Sequence, residues 1–138
     1  MVVIRAKSPR RTLGAALATV PRVSGRLPDI DPNDFFGLDM RVGRVTAVEP
    51  FPEARKPAWK LTVDFGPDVG TLRTSAQVTN YSQDELVGRL VVGAVNLGTK
   101  RIAGFVSEFL VLGAVDPDDG TVHVLTVPDA TQPGWRIA

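Results

Sequence analysis

The residues best suited to chemistry lie in one stretch, Asn96-Leu-Gly-Thr-Lys-Arg-Ile-Ala-Gly-Phe-Val-Ser-Glu108. It brings Asn96, Lys100, Arg101, Ser107 and Glu108 into a single loop region between two apolar segments. Lys100 and Arg101 are adjacent cations of the kind that hold phosphate oxygens. Asn96 and Ser107 can both donate and accept hydrogen bonds. The competing reading is a turn shaped by Gly98 and Gly104, with the cations simply solvated. A second polar group, Thr74-Ser-Ala-Gln-Val-Thr79, sits near the end of a strand-like segment. Its side chains suit base edges or ribose hydroxyls, or else form a polar outer face.

Other chemistries find little support. Gly93-Ala-Val-Asn-Leu-Gly-Thr-Lys100 has the glycine spacing of a phosphate-binding loop. It reads Gly-Thr-Lys where that loop requires Gly-Lys followed by Ser or Thr. The chain has no cysteine and one histidine, His123. Disulfides, a catalytic thiol and cysteine-based zinc sites are therefore excluded. His123 lies in an apolar segment without a second imidazole, and Ser75 and Ser107 have no base nearby in sequence. Asp116, Asp118 and Asp119 fall around Pro117 and Gly120 and read as turn chemistry, lacking the other ligands of a calcium loop. The expectation is a non-enzymatic protein with no metal or cofactor.

The elements that must position these residues are mostly strands. Asp31 before Pro32 predicts an N-cap and a single helical turn carrying Phe35 and Phe36. Residues 40–48 form a strand in which Gly43 is expected to mark a bulge or sharp coil. Trp59, Leu61, Val63 and Phe65 alternate with polar residues, predicting a half-buried strand. A turn at 66–70 makes a hairpin with residues 71–78. Ser82-Gln-Asp-Glu85 predicts a capping box and a short helix ended at Gly88. Residues 90–95, 109–115 and 122–127 read as further strands, followed by a short closing segment at 135–137. A long coiled strand, a hairpin, a short helix and more strands predict an all-β, five-stranded OB-fold barrel. An SH3-like barrel and a small sandwich are the alternatives.

Charge divides the chain of 138 residues unevenly. Residues 1–28 contain six Lys/Arg and no acid, while the rest holds 10 Lys/Arg against 15 Asp/Glu, a net of −5. We therefore expect a basic, disordered tail at 1–28 and one domain at 29–138. A leader peptide is the competing reading of the tail. No apolar run is long enough to cross a membrane as a helix.

Taken in order, Asp34-Phe35, Leu38-Asp-Met-Arg-Val-Gly-Arg-Val45, Phe51-Pro-Glu-Ala-Arg55, Trp59-Lys-Leu-Thr-Val-Asp-Phe-Gly66, Thr74-Ser-Ala-Gln-Val-Thr79 and Lys100-Arg-Ile-Ala-Gly-Phe-Val-Ser-Glu108-Phe-Leu-Val-Leu-Gly113 resemble the CsaA-type tRNA-binding-domain proteins. The resemblance covers about residues 33–138. It implies an OB-fold, a homodimer and no catalytic chemistry. It further implies binding of tRNA and chaperone or export-related activity on unfolded or precursor polypeptides, in the cytoplasm. The alternative is a dedicated polypeptide chaperone with no physiological RNA ligand. Carried onto this sequence, the family motifs mark Ser75, Gln77, Asn96, Lys100, Arg101, Gly104, Ser107 and Glu108 for RNA contact. Phe35, Phe36, Phe51, Trp59 and Phe105 are the candidates for an apolar surface that takes a polypeptide or a second subunit.

Overall fold

A computed structural model describes residues 25–138. The expected tail falls outside the described residues except at 25–28, which are exposed. The chain then runs α1 (Pro32–Gly37), β1 (Met40–Pro50), β2 (Trp59–Asp64), β3 (Thr71–Ala76), α2 (Gln83–Leu86) and β4 (Leu90–Ala94). It continues through β5 (Lys100–Ile102), β6 (Phe105–Ser107), β7 (Leu110–Val111), β8 (Gly113–Val115) and β9 (Val122–Val124).

Both helices start as their capping residues predict. The Asp31 side chain accepts the Asn33 amide at 2.9 Å. At α2, the Ser82 hydroxyl accepts the Glu85 amide at 3.1 Å, and the Glu85 carboxylate accepts the Ser82 amide at 2.8 Å. That amide bond holds the Glu85 carboxyl below its ordinary pKa. Leu86, the apolar residue that follows, is fully buried.

Five strands form an antiparallel sheet in the order β3-β2-β1-β4-β7. The sheet coils into a near-closed barrel around Val45, Leu61, Val63, Phe65, Val91, Phe109 and Val111. This is the expected OB-fold. The bulge in β1 falls between Val45 and Ala47, not at Gly43 as the sequence suggested. Gly43 answers a packing need instead: a Cβ there would sit 2.5 Å from Val63 and 2.7 Å from the Phe65 ring. Gly93 on the neighbouring strand leaves the same room, 2.7 Å from that ring. Two glycines side by side thus seat one phenylalanine in the barrel.

The strand expected over 109–115 divides at Leu112. Its amide donates to Val92 of β4, while its carbonyl accepts from Leu125. The chain leaves the barrel there to pair β8 with β9. The closing segment lies along β1, with the Val42 amide donating to the Trp135 carbonyl at 2.9 Å and the Ile137 amide to Met40 at 2.8 Å.

Candidate nucleic-acid interface

The two polar motifs of the sequence meet along one line, the seam that closes the barrel. β3 is the last strand of the sheet, and an unpaired strand edge needs partners for its backbone. The chain at 107–109 supplies them. The Thr74 hydroxyl donates to the Phe109 carbonyl at 2.7 Å. The Ser75 amide donates to the Ser107 hydroxyl at 3.1 Å, and the two hydroxyls lie 3.2 Å apart. The Glu108 carboxylate accepts the Arg73 amide at 3.0 Å, and the Glu108 amide donates back to the Arg73 carbonyl at 2.8 Å.

These contacts engage part of the expected site. Ser75 and Ser107 are buried, 4% and 2% exposed, and their hydroxyls face each other. Glu108 is engaged by backbone. Asn96 is likewise occupied: its amide donates to the Gly37 carbonyl and its oxygen accepts the Asp39 amide, both at 2.8 Å. It straps α1 to the end of β4. Four of the eight residues expected at the RNA contact thus already have hydrogen-bond partners within the chain.

Of the other four, Gln77, Arg101 and Gly104 are exposed and Lys100 is half-buried. β5 and β6 form a hairpin where a loop was expected, because Ala103 and Gly104 both take positive φ, 48° and 81°. That is the two-residue turn whose twist suits a hairpin, and it explains Gly104. Strand geometry separates the adjacent cations. Lys100 pairs with buried Ser107 and shares its side of the hairpin, whereas exposed Arg101 pairs with Val106 and points the other way. Arg101 also donates to the Gly104 carbonyl at 3.2 Å. Gln77 is exposed just beyond β3.

The hairpin rests on the outer side of β2 and β3 through an aromatic pair. The Phe51 and Phe105 rings are 5.5 Å apart and only 4% and 9% exposed. They are not the open apolar surface expected of them, because cations cover them. Lys60 Nζ lies 4.8 Å from the Phe51 ring and 5.3 Å from the Phe105 ring, and the Arg73 guanidinium lies 4.8 Å from Phe105. Positive charge over a ring face is attracted to its π-electrons. Arg73 also approaches Glu49 at 3.6 Å, a half-exposed ion pair of little energetic weight. Trp59 is half-buried with its indole N–H donated to the Tyr81 carbonyl at 3.0 Å, so it too belongs to the fold.

Lys60 and Arg73 lie outside the two polar motifs, among six further cations, Arg41, Arg44, Arg55, Lys56, Lys60 and Arg73, that add phosphate contacts only where they share a face. The alternation of β2 is the signal that finds Lys60, since it must face away from Leu61 and Val63. Other cations are held elsewhere. Arg41 contacts Asp39 at 2.6 Å, which raises the pKa of its guanidinium, and Arg44 donates to the Gly88 carbonyl at 2.7 Å. Lys60 and Arg73 on the strands and Lys100 on the same side of the hairpin as Phe105 thus form one basic group, with Arg101 on the hairpin's other side.

Phe35 and Phe36 are exposed on α1, at 40% and 58%, and pack edge to face. Arg136 donates to the Phe36 carbonyl at 2.7 Å, which brings α1 beside exposed Trp135. A second apolar cluster is made of Met40, Val92 and Ala94, with half-buried Leu38, Leu97, Leu110, Leu112, Val127 and Ile137 packed against it. Among the described residues, no group of three or more His, Cys, Asp or Glu can hold a metal ion, and no helix is long and apolar enough to cross a membrane.

An OB barrel with cations over the outer side of β2–β3, flanked by the β1–β2 connection and a hairpin after β4, has the layout of oligonucleotide-binding modules of this fold. Residues 40–136 match the family described as a putative tRNA binding domain. A CsaA chaperone protein from Picrophilus torridus is 46% identical with a TM-score of 0.74, covering 80% of this chain and 100% of that one. The chaperone CsaA of Bacillus anthracis is 43% identical with a TM-score of 0.75 and the same coverage. Methionine–tRNA ligase 1 of Sorangium cellulosum is 36% identical over 124 residues, 90% of this chain but 17% of the ligase. The chain thus spans about one-sixth of that curated relative's length. It belongs to the tRNA-binding-domain family, and within it to the CsaA type.

Proposed function

We propose that residues 29–138 act as a single non-catalytic domain that binds tRNA. The observation that carries this reading is the gathering of Lys60 and Arg73 beneath a hairpin bearing Lys100 and Arg101. Gln77 adds an amide on the same side. Phosphate contacts dominate such binding, and few are available on a body of net charge −5, so affinity is modest and salt-sensitive. Lys100→Ala/Arg101→Ala is expected to weaken tRNA binding about tenfold and to flatten the plot of log K against log salt by about 0.7–0.9 per lost phosphate contact. Unchanged affinity and slope in a filter-binding titration would remove the hairpin from the interface.

The apolar surface favours a second use. Phe35, Phe36 and Trp135 are exposed, near in sequence to Leu38 and Ile137 of the second apolar cluster, and a second copy of the chain would bury them. We assign this surface to a homodimer, which doubles the basic face. Chaperone activity on unfolded or precursor polypeptides in the cytoplasm rests on the whole-chain likeness to the two CsaA proteins. Phe36→Asp separates these uses. The wild type is expected to sediment as a dimer and to suppress light scattering by an aggregating client, and the variant as a monomer of 14.8 kDa. A monomeric wild type would overturn the dimer, and unchanged scattering with equimolar wild type would overturn the chaperone.

A further inference from the structure

Adjoining the basic face, the outward row of β3 leads into an open cleft of about 290 Å³. It is lined by Lys56 and Pro57 of the β1–β2 connection, by Gln77, Thr79 and Asn80, which follow β3, and by Asp119, Gly120 and Thr121 of the β8–β9 turn. The volume is at the small end for a ligand site, the scale of one small molecule or one residue of a polymer.

The lining is polar, and its groups differ in kind. Asn80 donates its amide N–H to the Val122 carbonyl at 3.1 Å, which fixes the side chain and leaves its oxygen as an acceptor. Asp119 accepts the Thr121 amide at 2.9 Å through one carboxylate oxygen. That backbone bond holds the Asp119 carboxyl below its ordinary pKa, so it stays ionised. An ionised carboxylate repels phosphate but accepts strongly from hydroxyl groups, the way an acidic residue grips a ribose 2′-OH in dinucleotide sites. Gln77 brings a donor and an acceptor together, the pattern that reads a base edge. Lys56, which also lines the cleft, suits the phosphate of the same unit.

We propose that this cleft binds one unpaired ribonucleotide of the RNA: ribose against Asp119, base edge against Gln77, phosphate against Lys56. The proposal rests on the RNA-binding reading above. Gln77 lies four residues beyond Arg73, about 13 Å along an extended chain, so one strand of RNA can reach both the cations and the cleft. The carboxylate makes the cleft a discriminator of RNA from DNA, because only ribose supplies the 2′-OH donor.

The test uses the full chain and three versions of one RNA hairpin: with a 3′ tail of unpaired ribonucleotides, with the same tail in deoxyribonucleotides, and blunt. The wild type is expected to prefer the ribose tail by about tenfold, the scale of one hydrogen bond to a charged group. Asp119→Ala is expected to erase that preference. Asp119→Asn, which keeps an acceptor for the Thr121 amide and so keeps the turn, is expected to lower it. Gln77→Ala should reduce affinity for the tailed hairpins more than for the blunt one, while Asp119→Ala leaves the blunt hairpin unaffected. Equal affinity of the wild type for ribose and deoxyribose tails would overturn the cleft while leaving the RNA reading intact. Absence of binding to all three hairpins would overturn both. If Asp119→Ala and Gln77→Ala instead weaken capture of an unfolded polypeptide and leave all three hairpins unaffected, the cleft is a peptide site and the proposal fails.

Discussion

The seam that closes the barrel and the face that lies over it are built from similar residues and behave oppositely. Thr74, Ser75, Ser107 and Glu108 are polar, but each meets a partner within the chain. Lys60, Arg73, Lys100 and Arg101 are also polar, but they stand over rings or at the surface, where an anion can reach them. Hydroxyls and one carboxylate can satisfy a strand edge because they accept and donate at short range. Lysine and arginine only donate and keep their charge, so burial without an anion is costly. The difference shows that a polar motif can be structural throughout, while the binding groups are scattered on neighbouring strands.

The sharpest way to break this comparison is Phe105→Ala, which removes the ring that joins hairpin to sheet. Loss of about 3 kcal/mol in urea denaturation is expected, as for other buried aromatic truncations. A loss below about 1 kcal/mol would mean that the hairpin sits without its aromatic anchor. Thr74→Val is the next test. It keeps the shape but strands the Phe109 carbonyl, at an expected cost of about 1–2 kcal/mol, with tRNA affinity unchanged. If affinity falls while stability holds, the seam belongs to the interface after all. The smallest stability effect is expected from Lys100→Ala/Arg101→Ala, within about 0.5 kcal/mol of wild type, although its tRNA affinity falls. A large stability loss there would merge the two regions into one structural unit.

Local signals carried much of the fold. Asp31-Pro32 and Ser82-to-Glu85 set both helix starts through groups two or three residues apart. Alternation in β2 set which side faces the core. Signals that depend on remote partners were not legible. Gly43 reads as a bulge because glycine in a strand often marks one, but its reason here is Phe65, more than 20 positions away. Ser75 and Ser107 read as ligands because nothing in either segment reveals the other. Asn96 gives no local hint that it ties α1 to β4.

By itself, the sequence determined a mostly-strand domain, its helix caps, its lack of thiol chemistry and the residues available for binding, since these follow from periodicity, capping and composition. Only the tertiary structure decided which polar groups are already partnered. Hydrogen bonds across the seam join residues 32 to 35 positions apart. Whether a serine is a ligand or a clasp depends on what the folded chain sets against it.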